Sequence, residues 1–146
     1  MSIEIKNSSS IPARSDLLAR VVTAEEIASH PPGLDTDYLS SQAFEAKEGQ
    51  VIFTNGSDYS TALIGLGEDA HVSTEKFRQA GASLLRGIKN FKSITFDVGE
   101  SNIAKENKSS VIQAFLEGAI LGDYEFTALK SNPPKPVKRT ITVLGS

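Results

Sequence analysis

The stretch Thr61 to Val98, TALIGLGEDAHVSTEKFRQAGASLLRGIKNFKSITFDV, decides the fold. Its opening run, Thr61 to Gly67, is apolar and closed by glycines, which reads as a buried strand. Phe77, Ala80, Gly81, Leu84, Leu85 and Ile88 then fall at offsets of 0, 3, 4, 7, 8 and 11, the repeat of one helical face. A helix is therefore predicted over Thr74 to Lys89, with Lys76, Arg78, Arg86 and Lys89 left largely to solvent. Ser93 to Val98, with Ile-Thr-Phe at its centre, returns as a strand. Strands joined through a helix require parallel pairing and a right-handed crossover.

Upstream, Val51-Ile52-Phe53 followed by Asn55-Gly56 marks a strand and a hairpin turn into the Thr61 strand, adding one antiparallel element. Ser2 to Lys6 and Leu17 to Val22 are short strands suited to a sheet edge, with Ser8 to Pro12 as the loop between them. Thr23 to Ser29 carries a capped helical turn, Pro31-Pro32-Gly33 breaks the chain, and Asp35 to Phe44 is a modest helix.

Downstream, Val111 to Ser131 reads VIQAFLEGAILGDYEFTALKS. Val111, Phe115, Gly118 and Gly122 share a narrow helical sector, so Ser109 to about Phe126 forms a helix with two glycines one turn apart, together with its aromatic exit segment. Each glycine costs roughly 1 kcal/mol of helix propensity relative to Ala, and the groove they leave suits close packing. Ser131 to Arg139, rich in proline, is a stiff basic connector that cannot be helical, and Thr140 to Leu144 is the last strand. The result is an α/β fold with a mixed, mostly parallel sheet flanked by helices. With 146 residues and no internal repeat, the chain suits one domain.

Composition narrows the function. No apolar run approaches the roughly 20 residues of a membrane helix, and the amino terminus does not read as a signal peptide, so a cytoplasmic location is expected. The absence of cysteine excludes disulfides and thiolate metal sites within the chain. Net charge is −3, yet residues 1–73 hold 4 basic and 11 acidic side chains, and residues 74–146 hold 11 basic and 7 acidic. If the halves occupy different faces, that asymmetry suits docking to an opposite surface.

Chemistry is sparse. His30 and His71 have no metal-ligand spacing such as His-Glu-x-x-His. Asp97 and Glu100 follow a strand end, where α/β folds display functional groups, but carboxylates there are more often solvated or capping. Ser57 and Ser60 lack a nucleophile-elbow context. Gly65-Leu66-Gly67 leads from strand to helix, where amides can cradle an anion, although Glu68 and Asp69 would repel phosphate. Lys130, Lys135, Lys138 and Arg139, with Lys76, Arg78, Arg86, Lys89 and Lys92, form the basic set on which a nucleic-acid reading would rest.

Glu117, Gly118, Leu121, Gly122, Tyr124, Phe126 and Lys130 closely resemble a motif in the amino-terminal domain of the leucyl (cytosol) aminopeptidase family, although Leu129 stands where an aromatic usually precedes the lysine. The similarity extends from about Gly49 to the end, through the Leu63 to Gly67 strand, Ala80-Gly81 and Thr142-Val143-Leu144. It implies a macro-domain-like fold for residues 1–146, with catalysis by two divalent metals, zinc or manganese, in a separate carboxy-terminal domain. The Asn-Thr-Asp-Ala-Glu-Gly-Arg signature of that domain is absent here, so the resemblance implies no catalytic, cofactor-binding or metal residue in this chain. It implies a role in assembling the family's hexamer, with the catalytic domain and sister subunits as partners. Gly118 and Gly122 are then structural glycines, and Tyr124, Phe126 and Lys130 are candidate interface residues. Two alternatives are a nucleic-acid-binding module and an ADP-ribose or nucleotide site near Gly65 to Gly67 or Gly99, the latter by fold-level analogy.

Overall fold

The computed structural model describes residues 2–8, 16–29, 35–55, 59–87, 91–99, 101–128 and 138–144. Six strands form one sheet: β1 (Ser2–Ser8), β2 (Leu17–Val22), β3 (Val51–Asn55), β4 (Ser60–Gly65), β5 (Ser93–Asp97) and β6 (Lys138–Leu144). Their order is β1-β6-β5-β2-β4-β3, all parallel except the β3–β4 pair. The expected mixed, mostly parallel α/β sheet is what forms.

Side-chain alternation divides the sheet into two faces. On one, Ala19, Val21, Ala62, Ile64, Ile94, Phe96 and Ile141 pack with α3 (Thr74–Gly87) and α5 (Lys108–Ala128) as the main core. Helix α3 buries Phe77, Ala80, Gly81, Leu84 and Leu85, the face that the periodicity marked out; Ile88 lies outside the described residues. Phe96 and Phe115 stack with ring centroids 3.6 Å apart. On the other face, Val22 and Leu63 meet Leu39, Phe44 and Ala46, closing a smaller core beneath α1 (Ala24–Ala28) and α2 (Thr36–Ser41).

Local chemistry explains the short helices. Thr23 caps α1 in a full capping box, its side chain accepting from the Glu26 amide while the Glu26 carboxylate accepts from the Thr23 amide. Each bond satisfies a donor that the helix itself cannot. Asp35 caps α2 through the Tyr38 amide. The turn after α2 carries Ala43 at φ 56 and Ala46 at φ 58, and the Gln50 side chain clasps it, accepting from the Glu45 and Lys47 amides and donating to the Ala43 carbonyl.

Four boundaries differ from the sequence reading. β2 is not an edge strand but lies between β5 and β4. A helix the sequence did not show, α4 (Asn102–Glu106), follows β5, with Ser101 as its cap. Helix α5 continues to Ala128, so the aromatic segment beyond Gly122 is still helical. Lys138 and Arg139 belong to β6 rather than to the connector, because the pairing of β1 with β6 begins at Lys138.

Candidate functional site

In a parallel sheet the place to seek chemistry is the crevice outside the carboxyl ends of the strands. Here it is framed by the ends of β2, β4 and β5. The amides that could cradle an anion are committed elsewhere: those of Gly65, Leu66 and Gly67 donate to the carbonyls of Gln50, Val22 and Ala46 at 2.8, 2.9 and 2.8 Å. A Cβ on Gly65 would overlap the Lys47 carbonyl oxygen and lie 2.6 Å from the Ala46 carbonyl carbon. That glycine serves a close backbone crossing. Gly99, at φ +76, donates its amide to Asp97 Oδ1 at 2.9 Å, and a Cβ there would lie 2.5 Å from the Val21 carbonyl oxygen.

Carboxylates dominate the rim. Glu25 Oε2 accepts from the Asp69 amide at 2.9 Å, and Asp69 Oδ1 accepts from the Asn102 amide at 3.1 Å. Arg20 pairs with Glu26 at 3.4 Å. These acids bind loops together, and their charge opposes a phosphate-bearing ligand. Among the described residues no three His, Cys, Asp or Glu side chains are grouped to hold a metal ion. His71 lies in the 3-10 turn Asp69–His71, whereas His30, Ser57 and Glu100 lie outside the described residues. The Ser60 amide donates to the Asp16 carbonyl at 3.2 Å.

Three described members of the basic set are held within the fold. Arg139 is only 4% exposed, Lys76 pairs with Glu48 at 3.0 Å, and Arg78 pairs with Glu75 and with Glu117. Lys76 and Arg78 are thus half-buried in ion pairs rather than directed to solvent. Lys89, Lys130 and Lys135 lie outside the described residues.

The other locus is the seam between α3 and α5, where the helices approach through glycines. A Cβ on Gly118 would overlap the Arg78 carbonyl oxygen and lie 2.7 Å from its carbon; on Gly81 it would overlap the Phe115 carbonyl oxygen and lie 2.8 Å from the Ala119 amide nitrogen. At Gly122 it would stand 2.7 Å from the Ala82 carbonyl oxygen. Backbone meets backbone along the seam. Tyr124 and Phe126 lie on α5 beyond it, and Lys130 falls outside the described residues. The exposed large apolar side chains on the described part of α5 are Ile120 and Leu121. Their signal in the sequence was position, since both fall off the Val111-Phe115-Gly118-Gly122 sector.

A six-stranded mixed, mostly parallel sheet with two helices interlocked on one face defines the class: an α/β domain. Residues 18–133 match the model of the cytosol aminopeptidase family, N-terminal domain, and the chain belongs to that family. The match reaches upstream of Gly49 to the first residues of β2. A probable cytosol aminopeptidase of Protochlamydia amoebophila is 32% identical over 109 residues, covering 72% of this chain and 22% of the relative. One from Chlorobium phaeobacteroides is 29% identical over 146 residues, covering 90% and 29%. Among solved structures, a mutant tomato leucine aminopeptidase shares the fold with a TM-score of 0.75 at 21% identity, over 99% of this chain and 32% of that one. The bottromycin maturation enzyme BotP in complex with Mn gives 0.66 at 20%, over 88% and 26%. The chain spans less than a third of the length of these proteins.

Proposed function

We propose that this chain is the non-catalytic amino-terminal domain of a cytoplasmic leucyl aminopeptidase, and that it helps assemble and shape the parent's hexamer. The parent releases amino-terminal residues from peptides, using two divalent metals, zinc or manganese, held by a separate carboxy-terminal domain. Metals in such a centre activate a water and polarise the scissile carbonyl. One observation carries the reading: the family match covers residues 18–133, yet the chain covers only 22% of the relative from Protochlamydia amoebophila, leaving most of that protein for the chemistry.

In this reading Gly118 and Gly122 serve the internal fold, while Tyr124, Phe126 and Lys130 contact neighbouring domains. The coding DNA beyond the Ser146 codon is the direct test. An open frame continuing into a two-metal peptidase is expected, and a stop codon at that point would overturn the reading. Within the parent, replacing Tyr124, Phe126 and Lys130 together by alanine should weaken hexamer assembly measured by sedimentation. Unchanged assembly would remove those three residues from the interface.

A further inference from the structure

At the end of the sheet, β1 has β6 on one side and, among the described residues, no further strand beyond it. Glu4, Ile5, Lys6 and Asn7 are all exposed, Ile5 to 45%. An open edge is a template for another strand, and proteins commonly guard it with charge. Glu4 and Lys6 flank Ile5 on one face of the strand, 3.9 Å apart, while Ile3 and Ile5 share the opposite face, where Ile3 packs on the main core.

We infer that β1 is a homotypic docking edge, at which a second copy of this chain adds its own β1 antiparallel about a two-fold axis through Ile5. That register sets Ile5 opposite Ile5 of the second copy, and Glu4 opposite Lys6 twice over. Residues opposed across antiparallel strands point to the same face, so the isoleucines meet on the main-core side and both ion pairs form on the other. The sequence is self-complementary at this register, as an isologous interface requires. Sliding by two residues either way sets Glu4 against Glu4 or Lys6 against Lys6. Sliding by one sets charged side chains against isoleucines and turns the two helical layers to opposite faces. One register is selected.

The occupant is a second copy because the complementarity is of the strand with itself. The contact is one strand wide, so it describes a weak, concentration-dependent dimer. It does not rest on the aminopeptidase reading, whose family match begins at residue 18, beyond β1.

Sedimentation velocity on the 146-residue chain, from micromolar to millimolar concentration at low salt, tests it. A monomer–dimer equilibrium is expected. Glu4→Lys and Lys6→Glu should each weaken self-association by roughly tenfold, since each turns two opposed attractions into repulsions. Mixing the two single variants should yield heterodimers, and the double exchange E4K/K6E should restore homodimers. These side chains are exposed, so unchanged far-ultraviolet circular dichroism will confirm folding. A chain that stays monomeric throughout, or a dimer indifferent to both substitutions, overturns the proposal.

Discussion

Replacing Gly118 by alanine sets two opposed effects against each other on one residue. In an isolated helix the change is favourable by about 1 kcal/mol. In the folded chain the new methyl would overlap the Arg78 carbonyl oxygen and lie 2.7 Å from its carbon and 3.0 Å from its Cα. Carbon contacts are optimal at about 3.5–4.0 Å, so α3 and α5 must part by roughly 1 Å, a gap that forfeits a quarter to a half of each contact it opens. The obstructing atoms are backbone and have no rotamer to turn. The penalty therefore belongs at the upper end of overpacking, about 3 kcal/mol, and the net effect is a loss of about 2 kcal/mol. For a chain of this size that lowers Tm by about 4–8 °C, readable by thermal circular dichroism or calorimetry. Gly87→Ala is the internal control: it lies on the same seam's α3, but its added Cβ meets nothing within 4 Å, so it should be neutral or stabilising. Gly122→Ala should cost less than Gly118→Ala. A Gly118→Ala protein as stable as the parent, beside a well-behaved control, would refute the interlocked-helix account.

Thr23→Ala removes the capping box of α1 and should cost about 1 kcal/mol, seen as a lower urea midpoint with unchanged slope. Ala43→Gly should stabilise by up to about 1 kcal/mol, measured as a raised Tm. The left-handed backbone at φ 56 costs an L-residue about 1–2 kcal/mol, whereas glycine's extra freedom in the unfolded chain returns about 0.4–1 kcal/mol. Zinc or manganese titrated into the chain should give no stoichiometric heat by calorimetry; tight uptake of either ion would contradict assignment of the metal centre to the rest of the parent.

Residues with strong, repeated patterns were legible in the sequence, and residues whose neighbours are remote were not. The α3 periodicity, the β3–β4 hairpin and the Thr23 cap each depend on chemistry within a few positions, and each appears in the structure. β2 lies centrally rather than at an edge because its partners β4 and β5 come from far along the chain, beyond the reach of any local pattern. Arg20 is tolerated in the centre because Glu26, from the helix that follows, reaches back to it. α4 escaped notice since it is five residues long and buries only Ala104, leaving no period to detect. Arg139 read as part of a solvated basic connector, yet pairing with Ile3 draws it into β6 and buries it. At the crevice, the glycines were visible but their use was not. Gly65-Leu66-Gly67 looks the same whether its amides face a ligand or, as here, the carbonyls of segments well before it in the chain.

The central place of β2 sets a timetable for the ribosome. Leu17 is among the first core residues made, but its neighbours in the sheet are Ser60 on one side and Ile94 on the other. At typical elongation rates of roughly 5–20 residues per second, the second neighbour emerges about 4–15 s after the first residue it must cover. Through that interval an apolar strand waits with at least one edge open, and with both open until β4 is made, a natural client for a nascent-chain chaperone. A slow codon cluster that stalls synthesis once β5 has left the exit tunnel would give the sheet time to close around it, and one that stalls synthesis before β4 has left would prolong its exposure.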